Sequence, residues 1–154
     1  MDSILISQQQ FWEIDKNYSK ACGIMEEART LADKYAYDLC VRRAQEAFEL
    51  LSKTVFSFMG CEYPREHDVS RALYQIIGLL QEYGITTQRA AQMVLRGKTL
   101  AVWRDLAFYG DERLNVTGLF GEDEARLALR WAAEMSTDCY LVKTKILDRI
   151  IKAQ

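Results

Sequence analysis

The sequence predicts an all-helical fold, an up-and-down bundle of about five helices. Three observations predict it. Apolar residues recur in five separate stripes at alternating steps of three and four, the period of a helix with one buried face. One Pro and eight Gly are spread over 154 residues in which Ala, Leu, Arg and Glu are plentiful, a balance that favours helix over sheet. Runs of alternating, β-branched residues, the mark of strands, are scarce.

The elements follow in order. Met1 to Gln10 carries a short apolar patch, Ile4-Leu5-Ile6, then three glutamines and no helical stripe, and reads as an extended lead-in. Ile14, Tyr18, Ala21, Met25, Ala28 and Ala32 then predict a first helix from about Phe11 to Leu31. Gly23 inside it costs about 1 kcal/mol relative to Ala, for which a close helix crossing would be a reason. A second helix starts near Asp33 with almost no loop, making an antiparallel hairpin with the first. Its stripe, Tyr37, Val41, Ala44, Phe48, Leu51, Val55 and Phe58, opposes Arg42, Glu46, Glu49 and Lys53, and Gly60 and Pro64 end it. Cys61 to Glu66 form a short, stiff elbow. A third helix carries Val69, Leu73, Ile76, Leu80 and Tyr83, with Asp68 placed to accept backbone donors of its first turn.

Thr86 or Thr87 caps a fourth helix holding Ala90, Ala91, Val94, Leu95, Leu100, Ala101, Trp103 and Leu106, which Gly97 divides into two segments. Gly110 to Gly121, with three glycines and no period, reads as the one real loop. Glu122, Asp123 and Glu124 suit the first turn of a last helix, whose stripe is Ala128, Trp131, Met135, Cys139, Val142, Ile146 and Ile150. At about 45 Å that helix is longer than a bundle of this size covers. No linker or repeat interrupts the chain, so residues 1–154 read as a single domain.

Composition excludes several functions. A net charge of -2 and 27% charged residues of mixed sign do not describe an obligate nucleic-acid binder. Cys22, Cys40, Cys61 and Cys139 are far apart without a CxxC or His-Cys cluster, so they read as reduced thiols, and no metal site is expected. No apolar run approaches the roughly 20 residues that cross a bilayer, and no signal peptide is visible, which points to the cytoplasm without membrane attachment. No Gly-rich phosphate loop, nucleophile elbow or paired carboxylates mark a cofactor or a hydrolase, so no cofactor is expected.

The run Arg43-Ala44-Gln45-Glu46-Ala47-Phe48-Glu49, then Lys53, Gly60, Tyr63-Pro64 and His67-Asp68, resembles the central signature of the HEPN family. The match covers about a third of the chain directly. It implies a HEPN-like bundle that binds a nucleotide or nucleic acid and forms a homodimer, as the partner of a small nucleotidyltransferase in a toxin-antitoxin-like pair. The overlong last helix and a surplus of large aromatics point to the same dimer.

HEPN ribonucleases carry an Arg followed four to six residues later by a His. The His handles the ribose 2'-hydroxyl proton and the Arg stabilises charge building on the phosphate. Here the counterpart is Arg104-Asp105 with Tyr109 in place of the His, and a tyrosine hydroxyl, ionising near pH 10, is a poor base at neutral pH. The resemblance therefore implies a degenerate ribonuclease, with Arg104, Asp105 and Tyr109 as the only catalytic candidates. Arg43, Glu49, Lys53, His67 and Arg104 are the candidate ligand-binding residues. Each has a plainer reading: His67 as a helix cap or a backbone-bonded ring, and Arg42, Glu46, Glu49 and Lys53 as a solvated face. Arg43, to the flank of that face, should have a half-buried stem and a definite partner. Two alternatives stand beside nucleotide binding, a metal-independent HEPN ribonuclease and a non-catalytic helical adaptor for protein association.

Overall fold

Ser7 and Gln10 cap each other at the start of α1 (Gln8–Asp33): the Ser7 hydroxyl accepts from the Gln10 amide at 3.1 Å and the Gln10 side chain accepts from the Ser7 amide at 2.8 Å. This reciprocal cap draws the glutamines into the helix, so the extended lead-in stops at Ser7 rather than Gln10. The structure, a computed structural model, describes the backbone of residues 3–114 and 118–154, and the side chains of these except 108–114. The other helices are α2 (Tyr37–Phe58), α3 (Ser70–Gln75), α4 (Ile77–Gln81), α5 (Thr87–Leu114) and α6 (Glu122–Lys152). No strand occurs among the described residues.

The turn between α1 and α2 is longer than the sequence suggests. Tyr35 takes a left-handed conformation (φ 64°), which lets its amide reach Ala32 O at 3.0 Å and the Ala36 amide reach Leu31 O at 2.9 Å. The helix cannot run through such a residue, so α2 begins at Tyr37 instead of Asp33. The same motif ends α2, with Gly60 (φ 70°) as the left-handed residue and the Cys61 amide on Phe56 O at 2.9 Å. Only glycine fits there for a second reason: a Cβ on Gly60 would lie 1.9 Å from the carbonyl oxygen of Ile4.

α2 is the centre of the fold, packed by α1, α5 and α6. Its predicted stripe is buried from Val41 to Phe58, and so are Gln45, Glu49, Ser52 and Thr54. The predicted third helix is two, since the backbone leaves helical geometry at Ile76 (φ -106°, ψ 11°). The apolar stripe survives the break: Val69, Leu73, Ile76, Leu80 and Tyr83 are all buried. Asp68 accepts the Ser70 amide at 2.9 Å, as its position predicts. The bundle thus has six helices among the described residues.

Thr86 caps α5 through the Arg89 amide at 3.1 Å. α5 is not divided at Gly97 but packs closely there, since a Cβ would lie 3.3 Å from the Phe48 ring and 3.4 Å from Val69. The close crossing expected at Gly23 is absent, because a Cβ there would meet nothing within 4 Å. Helix α5 also takes in the first part of the predicted 110–121 loop. Among its described side chains the buried apolar ones are Ala90, Met93, Leu100, Ala101 and Ala107, while Leu95 and Leu106, read as part of its stripe, are exposed. At the far side of the connection the Asp38 carboxylate accepts the amides of Leu119 (3.3 Å) and Phe120 (2.8 Å).

The far end of α6 is not left over. Val142, Ile146 and Ile150 are buried in a helix that packs on α1 and α2. Lys143 reaches Asp15 at 2.6 Å, Arg149 donates to the Tyr83 hydroxyl at 3.1 Å, and Gln154 donates to Gln8 at 2.9 Å. Trp103 stacks on Trp131 at 5.6 Å and leans on Phe120 at 5.5 Å. The aromatics between α5 and α6 therefore pack on each other.

Candidate functional site

The elbow after α2 folds back over the C-terminal half of its polar stripe. Gln45 Nε2 donates to the backbone oxygen of His67 at 3.4 Å, and one turn later Glu49 Oε1 accepts from His67 Nδ1 at 2.8 Å. One turn further, Lys53 Nζ donates to the same Glu49 oxygen at 3.2 Å. Residues 45, 49 and 53 share a helix face by their spacing of four. That face holds both the main chain and the ring of His67.

Burial decides what the arrangement can do. Glu49 is 9% exposed, so its carboxylate has left most of its water and depends on His67 and Lys53 for donors. The solvated-face reading fails at Glu49, which is buried, while Arg42, Glu46 and Lys53 on the same stripe are half-buried. An ionised carboxylate can only accept, which places a proton on Nδ1 of His67. The neutral ring then carries its lone pair on Nε2. The His67 side chain is 61% exposed, so solvent and solutes reach a ring whose orientation is fixed from below. A carboxylate orienting an imidazole in this way leaves the imidazole able to exchange a proton or, charged, to meet an anion. The plain reading of His67 as a helix cap is replaced by this pairing.

Gln45 was not foreseen as part of the site. It is 2% exposed, and its Oε1 is buried without a hydrogen bond among the described residues. Its signal in the sequence is a long polar side chain four residues before Glu49, among Ala44, Ala47 and Phe48.

The remaining candidates lie apart. Arg43 is exposed rather than half-buried, and its guanidinium sits 2.8 Å from Glu46 and 3.6 Å from Glu27 of α1, so it has its definite partner but turns away from His67. Arg104 stands on α5 with its side chain 18% exposed and Nη1 3.7 Å from Asp105, whose own side chain is 70% exposed. The side chain of Tyr109 lies outside the described residues.

A second charged cluster, also unforeseen, joins α5 to α6. Arg89 reaches Asp138 at 2.9 Å and Glu134 at 3.3 Å, Arg96 pairs with Glu134, and the Arg96 guanidinium lies 5.9 Å from the centre of the Trp131 ring. Burial raises the Asp138 carboxyl above its ordinary range, against the lowering effect of Arg89. Each cation here faces a carboxylate, so the cluster is a clamp between helices. The thiols offer no activated nucleophile: burial pushes Cys40 up to about 11 and also raises Cys139. Among the described residues no three His, Cys, Asp or Glu side chains are grouped to hold a metal. No helix among them is long and apolar enough to cross a membrane.

A family model described as the HEPN domain matches residues 15–140, which takes in α2, the elbow and Arg104. Comparison with curated proteins and with solved structures returns no match.

Proposed function

We propose that this chain, which belongs to the HEPN domain family, binds a phosphate group of a nucleotide or nucleic acid at the elbow after α2 and does not cleave RNA efficiently. The observation that supports this reading is the ring of His67, held at 2.8 Å by buried Glu49 and exposed on its other side, with Lys53 on the same carboxylate. The Lys53 ammonium and, when it is protonated, the His67 ring are positioned by a group that cannot move into solvent, and positioned donors bind an anion at a smaller entropic cost than free ones. Arg104 contributes a further cation from α5, and Tyr109 in place of the family's His removes the usual proton acceptor. The reading includes a homodimer, supported by Leu95, Val102 and Leu106, which α5 exposes along one stripe. Pairing with a small nucleotidyltransferase in a toxin-antitoxin-like system rests on family membership alone.

The experiment is a pair of assays on the purified protein: binding of fluorescent RNA and of ATP at low salt, and cleavage of the same RNA without metal. The expected result is saturable binding with little or no cleavage. Robust cleavage that Arg104→Ala removes would move the ribonuclease reading to first place. Absence of both activities would leave protein association as the function.

A further inference from the structure

Two of the four thiols meet where α1 packs on α6. The helices run antiparallel, since Gln154, just past the end of one, bonds Gln8 at the start of the other. Lys143 sets their register: its Nζ lies 2.6 Å from Asp15 Oδ1 and 4.9 Å from the centre of the Tyr18 ring. One turn on from Tyr18 stands Cys22, and one turn back from Lys143 stands Cys139, so both thiols lie at one level of the seam. Beyond them Met25 and Ala132 share one buried cluster, which holds the same register on the other side.

Their nearness also shows in ionisation. Burial raises the Cys139 thiol most, and the Cys22 thiol is the next cause, ahead of Lys143 one turn away. Both thiols add to the burial that raises the Tyr18 hydroxyl. Access differs between the two: Cys22 is half-buried, whereas Cys139 is fully buried. An oxidant from solution therefore reaches Cys22 first, and oxidised Cys22 has Cys139 as its neighbour. The other two cysteines lie elsewhere, with the Cys40 sulfur 3.9 Å from Ala125 O and the Cys61 sulfur 3.9 Å from Met59 O.

We propose that Cys22 and Cys139 form a disulfide when the chain meets a peroxide, joining α1 covalently to α6. The Cys22 thiolate attacks the peroxide and its O–O bond breaks; one oxygen stays on sulfur as a sulfenic acid and the other leaves as an alcohol or water. The Cys139 sulfur then attacks the Cys22 sulfur. The S–O bond breaks, the S–S bond forms, and the Cys139 proton leaves with the hydroxyl as water. Two thiols lose two electrons and one peroxide gains them. Protonation of the buried Cys139 slows the second step, and a neighbour held in place by two packed helices offsets this through its high effective concentration. The link closes most of the chain into one loop, the case in which a cross-link takes most freedom from the unfolded state. It shares no residue with the Glu49–Lys53–His67 cluster and stands independently of the nucleotide reading.

The test treats the full chain with hydrogen peroxide at pH 8, alkylates the remaining thiols with iodoacetamide after unfolding, and weighs the tryptic peptides without reductant. The expected product joins peptide 21–29 to peptide 131–143 and disappears on adding dithiothreitol. The oxidised chain should also unfold about 5 °C or more above the reduced one. Cys22→Ser, at a half-buried position, should show neither the link nor the rise after the same treatment. Three results would overturn the proposal: Cys22 carried on to the sulfinic acid while Cys139 is still fully alkylated, a link made through Cys40 or Cys61 instead, or a Cys22–Cys139 link that leaves the unfolding temperature unchanged.

Discussion

α2 and α5 are both long helices of one bundle, 22 and 28 residues, and they use their surfaces in opposite ways. α2 is covered on nearly every side, so its polar residues, Gln45, Glu49, Ser52 and Thr54, are buried with the apolar ones. α5 buries one face and leaves Leu95, Val102 and Leu106 in water, and it meets α6 through long charged and aromatic side chains. A buried polar side chain must find a partner and so becomes fixed, whereas an exposed one need not. That difference fixes His67 and Lys53 at the α2 elbow, while Arg104 stands apart from them on α5.

Core truncations should break or sharpen this contrast most strongly. Leu51→Ala, at a fully buried position of α2, should cost about 2–5 kcal/mol in a urea unfolding curve. Leu95→Ala on α5 should change stability by less than about 0.5 kcal/mol in the same experiment, since its side chain is 66% exposed. Equal losses at the two positions would remove the distinction. Next in size, Gly60→Ala should cost about 2 kcal/mol or more, because it combines a left-handed backbone with a clash against Ile4. Gly23→Ala, with open space around it, should be neutral or stabilising by about 1 kcal/mol in thermal unfolding.

The stripes made most of the fold legible in the sequence. Val41 to Phe58, Val69 to Tyr83 and, apart from half-buried Trp131, Ala128 to Ile150 are buried as their spacing predicts, because helical period and burial are linked by geometry alone. The ends were less legible, since they depend on local hydrogen bonds that a period does not encode. The Ser7–Gln10 cap and the left-handed Tyr35 each moved a boundary. At the site, spacing identified Glu49 and Lys53 as one face but could not show that the elbow returns to cover it. Burial of a polar stripe depends on what folds over it, and so Gln45 and the Arg89–Asp138 clamp went unseen.

A middle-sized effect probes the elbow. Glu49→Leu removes the acceptor shared by His67 and Lys53 and should cost about 1–3 kcal/mol, whereas Asp105→Leu, on an exposed side chain of α5, should be close to neutral in the same unfolding curves. Smallest is a reactivity contrast. Cys40 and Cys139 are buried and their thiols raised, so at pH 8 they stay protonated and should react with a disulfide reagent only as the chain unfolds, while half-buried Cys22 reacts first. Raising the pH to 9 should leave Cys40 slow, being still below about 11.

The central claim is that the anion-binding cations are those fixed at the elbow of α2. It is tested most directly by the affinity of one fluorescent RNA at low salt for the wild-type chain and for His67→Ala, Lys53→Ala and Arg104→Ala. The expected result is a loss of about fivefold or more for His67→Ala and for Lys53→Ala, and a smaller loss for Arg104→Ala. Affinity abolished by Arg104→Ala but unchanged by His67→Ala and Lys53→Ala would contradict the account and return the site to α5.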